Sequence, residues 1–212
     1  MALISTIPAD AAGGDVRTMY EENQAKLGYV PNYVKAFSHR PQVMAAWGNL
    51  LGSIRNTVDA RRYELVTLAA ARALHSSYCM LAHGTVLRQH FYSPEHLSRI
   101  ATDYTTAGLT PAEVAMLAYV EKLVRGAATI EAADIQALRA HSFTDAEIFD
   151  IAAVAAARCF FSTLLDAVGA EPDAVYMDLE DELRSALTVG RSISATPPDQ
   201  VALAKMTGAS ED

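Results

Sequence analysis

Cysteine is scarce in this chain: two in 212 residues, at positions 79 and 159. That is too few for a disulfide-held scaffold, so a packed core has to carry the fold. Basic residues are also outnumbered, 17 against 25 acidic, which leaves a net charge of −8. No cluster of lysine or arginine offsets that balance, an argument against nucleic acid and against an anionic membrane surface as partners. The opening MALISTIPADAAGGD lacks a positively charged n-region and has only a brief apolar start, so no signal peptide is expected. No apolar run is expected to reach the ~18–20 residues of a membrane span. A cytoplasmic protein is the expectation. Glycine-rich phosphate loops, a G-x-S-x-G elbow and a dinucleotide fingerprint are all missing, which excludes the chemistries those motifs support. Nothing reads as a strand.

What is present is alanine and leucine at helical spacing, within a hydrophobic content of 51%. The pattern predicts an all-α protein with room for a sizeable core. Residues 1–14 read as an irregular lead, 15–190 as a single helical domain, and 191–212 as a tail that is disordered or reaches a partner subunit. Asp15 is expected to cap a first helix that Gly28 and Pro31 close, and LGYVPNYVKAFSHRPQ to connect it onward. Pro41 opens a helix with an apolar face of Val43, Met44, Trp47, Leu50, Leu51 and Ile54. Helices over 58–74 and 77–90 follow, then one from Ser93-Pro94. Thr110-Pro111-Ala112-Glu113 and Thr144-Asp145-Ala146-Glu147 are capping boxes that open two more, with a shorter helix at 132–141 between them. The second box starts IFDIAAVAAARCFFSTLLDAVG, apolar nearly all round and so central to the core or to an oligomer interface. A last helix is expected from Pro172 to about Leu187. The boxes lie 34 residues apart, but no Trp, Gly or Tyr pattern recurs with them, so no repeat is read.

Chemistry concentrates in ELVTLAAARALHSSYCMLAHGTVLRQH, residues 64–90, with Cys79 and three of the six histidines. Ser76 and Ser77 are N-cap types, which places Cys79 in the first turn of a helix, where free N–H groups and the dipole favour a thiolate. His83 is one turn on, on the same face, with Cβ atoms roughly 5–6 Å apart, and can act as base or acid toward the sulfur. Glu64, one helix earlier, can orient or protonate His83. Each residue also has a plainer reading: Cys79 as a small buried hydrophobe, His83 as a core histidine, Glu64 as a helix-start carboxylate. Tyr78 could hold a substrate oxygen or simply pack, and Ser76 could donate to the sulfur or only cap the helix. Cys159, in AAARCFFSTLL, is expected to be buried packing, and a resolving thiol only if the fold brings it to Cys79. A metal centre from His75, His83, His90 and Glu64 lacks tight ligand spacing, so no metal is expected. No arginine stands beside the motif to hold a substrate carboxylate; Arg72 and Arg88 are candidates if the fold turns them inward.

The spacing Glu64-x11-Ser76-x2-Cys79-x3-His83 resembles the alkyl hydroperoxidase D and carboxymuconolactone decarboxylase family, whose peroxidase branch carries Glu-x11-Cys-x-x-Cys-x-x-x-His there. Cys79 falls on the second cysteine, His83 on the histidine, and Ser76 where the first cysteine would be. LGYVPNYVKAFSHRP and FTDAEIFDIAAVAAARCFFSTLLDAVGAEPD are similar to the family's peroxidase-related branch. The resemblance implies an AhpD-like all-α fold around an antiparallel helix pair, a homo-oligomer (dimer, trimer or hexamer), and no cofactor. It also implies a Glu64–His83 proton relay to Cys79.

The leading expectation is a one-cysteine, peroxiredoxin-type thiol peroxidase. Cys79, His83 and Glu64 would be catalytic, Ser76 and Tyr78 would shape the pocket, and an external thiol would reduce a sulfenic acid. The alternative is a carboxymuconolactone decarboxylase-type lyase in which Glu64 and His83 move protons on a lactone. A non-catalytic oligomeric helical binding protein is the third.

Overall fold

The alanine- and leucine-rich stretches become ten α-helices within residues 2–197, the residues that the computed structural model describes. They are α1 (Gly14–Leu27), α2 (Asn32–Ala36), α3 (Pro41–Arg55), α4 (Ala60–Ala73) and α5 (Ser77–His90). Then come α6 (Pro94–Asp103), α7 (Pro111–Gly126), α8 (Ala132–Ala140), α9 (Asp145–Val168) and α10 (Asp181–Leu187). Among the described residues there is no strand, and the fold is all-α.

Local chemistry sets the ends. Asp59 and Ser93 accept backbone N–H bonds at the starts of α4 and α6. Thr110 with Glu113 and Thr144 with Glu147 form complete capping boxes on α7 and α9, each satisfying two otherwise orphaned donors. Gly28 stops α1 in the left-handed region at φ 82°.

Helix α4 is the axis of the molecule. Every residue from 63 to 71 is buried, and the helix packs on α5, α7 and α9. Arg62 of α4 is tied to Glu147 at the start of α9, 2.7 Å apart, and Arg88 of α5 donates to Glu180 just before α10. The site lies where α4, α5 and α9 come together.

Several expectations change. The connection after α1 contains α2 and a 3-10 turn, Phe37–His39, because Val34 and Phe37 are buried and draw the chain into the core. The helix expected from Pro172 is instead a 3-10 turn, Ala174–Asp178, followed by α10, since Asp173 is buried and bonded to Tyr78 and Asn32. The expected tail divides. Ser194 is buried and its N–H donates to Pro172, while residues 198–212 lie outside the described residues. Helix α9 is, contrary to expectation, long and apolar enough to cross a membrane by length and composition. Its packing against α3, α4, α7 and α8 gives that composition another cause, a helix central to the core. The apolar face of α3 is also only partly used. Trp47 is buried, but Val43 and Leu50 remain exposed beside Phe160 of α9, along a groove of about 590 Å³.

Gly190 shows how the end of the domain bears on the motif. It lies three residues beyond Leu187, the end of α10. Its N–H donates to Ser77 Oγ at 2.7 Å, and a Cβ there would sit 2.0 Å from the His75 carbonyl oxygen. The backbone at 190 therefore lies directly against the α4–α5 turn, where His75 adopts φ 54°.

Candidate functional site

Glu64 and His83 meet as the spacing suggests. Helix α4 runs antiparallel to α5 across a three-residue turn, which sets the buried Glu64 carboxylate opposite the second turn of α5. The His83 Nδ1 to Glu64 oxygen distance is 2.6 Å. The other Glu64 oxygen lies 3.7 Å from Arg55, at the end of α3. A carboxylate only accepts, so Nδ1 carries the proton and Nε2 is left as the free acceptor. Burial first, and then the Arg158 charge, hold His83 below the ordinary imidazole value, against the pull of Glu64. The ring is thus neutral at pH 7 and fit to take a proton. With its side chain 18% exposed, His83 is the part of the group that reaches solvent.

Cys79 is placed differently from the expectation. It lies in the first turn of α5, and it is buried. Yet its sulfur makes no hydrogen bond to His83 among the described residues. Ser162 Oγ donates to it at 3.0 Å, and Arg158 Nη1 approaches at 3.8 Å, both from α9. These two positions are one turn apart, so one face of α9 presents both donors to the sulfur. Arg158 Nη2 also donates to Tyr63 Oη, 3.3 Å away, on α4 next to Glu64. The rings of Trp47 and Phe161 lie 5.9 and 5.6 Å from the guanidinium. Neither Arg158 nor Ser162 is found from sequence. Their only signal is a charge and a hydroxyl four apart within an otherwise apolar stretch.

The other candidates divide. Ser76 is the N-cap by position, wholly buried, but its hydroxyl makes no cap bond and no hydrogen bond of standard geometry. It still lies near enough to Asp166 to hold that carboxyl down against the burial that raises it. Tyr78 is buried, donates to Asp173 and accepts the Tyr33 N–H at 3.1 Å, so its hydroxyl joins α5 to α2 and the C-terminal segment. Tyr176 stands close enough to feel both Asp173 and Cys79, and burial pushes its phenol far up. Cys159 is half-buried rather than deep, because it follows Arg158 by one position and so faces about 100° away from it around α9. Both cysteines are free. Arg72 pairs with Glu121, and Arg88 with Glu180, so neither turns toward the motif. No group of three or more metal-ligating side chains gathers among the described residues, and His75 and His90 are exposed at the two ends of α5.

No curated protein matches the chain. Among solved structures, an alkylhydroperoxidase AhpD core, an uncharacterized peroxidase-related protein from Ralstonia eutropha JMP134, is 27% identical with a TM-score of 0.72. The match covers 90% of this chain and 98% of that one. An uncharacterized peroxidase-related protein from Silicibacter sp. TM1040 is 26% identical at a TM-score of 0.69, over 83% of this chain and 91% of that one. The debrominase Bmp8, solved with 2,3,4-tribromopyrrole, shares the fold at 16% identity and a TM-score of 0.67, over 88% and 98%. Over residues 41–122, which run from α3 into α7 and hold Glu64, Cys79 and His83, the chain matches the carboxymuconolactone decarboxylase family, and its all-helical fold is AhpD-like.

Proposed function

We propose that the chain is a thiol-dependent, peroxidase-like enzyme of the one-cysteine kind. The observation that carries this reading is the setting of Cys79: a sulfur that receives donors from Ser162 and Arg158, on the helix that also bears the Glu64-bound His83. Two donors, one of them charged, stabilise a sulfur anion as nucleophile. The resemblance to peroxidase-related proteins points to a hydroperoxide as its partner.

In the proposed step the Cys79 thiolate attacks the terminal peroxide oxygen. An S–O bond forms, the O–O bond breaks, and the alkoxide leaves with the Cys79 proton, which the neutral His83 ring first takes at Nε2 through a water and then gives up. Cys79 becomes a sulfenic acid, and two equivalents of an external thiol return it to the thiol, giving a disulfide and water. Ser76 has no thiol to offer for that recycling, so the reductant comes from outside. Glu64 holds His83 in one tautomer. We further infer a cytoplasmic homo-oligomer, in line with the acidic charge and the family resemblance.

The test is peroxide consumption under excess dithiol, in the chain and in Cys79→Ser. Loss of turnover in Cys79→Ser, with sulfenic acid trapped by dimedone on Cys79 in the parent chain, supports the reading. Full turnover without Cys79 removes it. A lyase reading is favoured by one observation, the 2.6 Å Glu64–His83 pair, which could move protons on a lactone with no sulfur chemistry. Cys79→Ser would leave that activity intact.

A further inference from the structure

Helix α9 carries more apolar surface than one chain covers. Fewer than half of the residues in its most apolar 18-residue stretch, 44%, are buried. Phe149 is 71% exposed and Phe160 47%, and Val43 and Leu50 of α3 stand open as well. Two phenylalanine side chains of roughly 150–250 Å² each, exposed to that degree, make with the two aliphatic ones an apolar patch on the order of 400 Å². Between α3 and α9 runs the groove of about 590 Å³, with the buried Trp47 and Ala157 at its floor and no ionisable side chain in its lining.

The order of residues along α9 says what fits there. Ala146, Phe149, Ala153, Ala156, Phe160 and Thr163 recur at alternating steps of three and four, which puts them on one stripe with the spacing of a coiled-coil seam. Ala153 is half-buried and the others are exposed. About the midpoint between Ala153 and Ala156 the stripe reads the same in both directions: small, Phe, Ala, Ala, Phe, small. A two-fold interface needs a surface complementary to itself, and two copies of one helix laid antiparallel match like with like when their pattern is a palindrome. The stripe also carries no ionisable group, in a chain whose net charge is −8. Two such chains repel over most of their surface, and a charge-free face is where they can close on each other.

We propose that this face binds a second copy of the chain, with α9 laid antiparallel on α9 about a two-fold axis between Ala153 and Ala156. The alanines let the two backbones approach closely. Phe149 of each copy packs against Phe160 of the other and closes the groove over Trp47. Both α3 helices flank the pair, so the interface is a four-helix core of two α3 and two α9. An apolar patch of about 400 Å² on each copy suits the centre of an interface that buries ~800 Å² per partner, the size of a standard stable contact. The proposal rests on the homo-oligomer reading above and names the surface that carries it, and it does not depend on the chemistry of Cys79. Trp47 stacks on Phe161 at 5.1 Å and lies 5.9 Å from the Arg158 guanidinium, so the interface backs onto the side of α9 that faces the sulfur.

Light scattering of the full chain should give an even number of chains per particle. Ala156→Glu, at a position exposed in the single chain, sets two carboxylates into the apolar seam. It should halve that particle mass and raise the dissociation constant about a hundredfold or more, with the helical circular dichroism kept. A register test needs no disruptive change. In a Cys79→Ser, Cys159→Ala background, chains with Ala153→Cys and chains with Ala156→Cys are mixed and oxidised with copper–phenanthroline. Peptide mass spectrometry should find the disulfide between positions 153 and 156 favoured over either self-pair. Anilinonaphthalene sulfonate should stay dim with the parent chain and brighten with Ala156→Glu, as the groove is uncovered. Bright dye on the parent chain means a groove left open to small apolar ligands and overturns the proposal, as does an odd number of chains or a preferred self-pair. An oligomer indifferent to Ala156→Glu removes this interface alone, whereas a monomeric parent chain removes the interface and the homo-oligomer reading together.

Discussion

Nδ1 of His83 lies 2.6 Å from the Glu64 carboxylate, and that single contact decides which nitrogen of the ring is available for chemistry. Replacing Glu64→Gln keeps the shape but lets the amide donate to Nδ1, which leaves Nε2 protonated and unable to accept. Turnover should fall roughly 10²-fold, as for loss of a positioned acid–base group, and His83→Ala should fall as far. Steady-state rates on the best substrate check this. Wild-type rates in Glu64→Gln would mean that the pair only packs.

Ser76 and Cys79 are one turn apart at the start of α5, and the Ser76 hydroxyl has no standard hydrogen bond to lose. In the proposed thiol mechanism, Ser76→Cys supplies an internal thiol that condenses with the sulfenic acid. The expected result is a disulfide between the introduced thiol and Cys79 after one equivalent of peroxide, seen by mass spectrometry as a loss of two hydrogens. Retention of sulfenic acid in that variant would contradict the expectation.

Tyr78 is a pocket candidate on sequence, but its hydroxyl serves Asp173 and the Tyr33 amide. Tyr78→Phe leaves both buried groups short of a partner and should cost about 1–3 kcal/mol in denaturant unfolding. Catalytic constants per folded molecule should hardly change. A selective rise in KM at unchanged stability would restore Tyr78 to the pocket.

Gly190 has no room for a side chain, since a Cβ would meet the His75 carbonyl at 2.0 Å. Gly190→Ala must displace the C-terminal segment from the α4–α5 turn and should destabilise by about 1–3 kcal/mol, as overpacking does. Thermal unfolding reads this. The same variant should loosen the motif turn, seen as faster amide exchange at Ser77.

Acid sensitivity should trace in part to Glu147. Two Thr144 bonds and Arg62 hold its carboxyl down at about 2 from the usual 4.5. A depressed carboxyl binds fewer protons folded than unfolded, so its stabilisation is full above about pH 4.5 and is lost as pH falls toward 2. Glu147→Gln should therefore lower Tm most at neutral pH, with the gap closing between pH 4.5 and 2. A constant gap across that range would rule this out.

The helices and most of their ends are legible in the chain without its fold. Periodic Ala and Leu, two Thr-x-x-Glu boxes, Pro41 and Gly28 act within a few residues of where they stand, so their effects can be read locally. The Glu64–His83 pair is legible too, because a three-residue turn between two helices leaves little choice of where they meet. What touches Cys79 is settled by packing instead. Local spacing proposes His83, but Ser162 and Arg158 hold the sulfur from a helix some 80 positions away. Packing of α9 against α4 is driven by apolar area, which carries no address for one arginine within it. Long-range packing also takes Tyr78 out of the candidate pocket and breaks the last helix at Asp173, where a buried carboxyl finds its donors. Contacts set by chain neighbours are written in the sequence, and contacts set by shape complementarity between distant helices exist only once the core has closed.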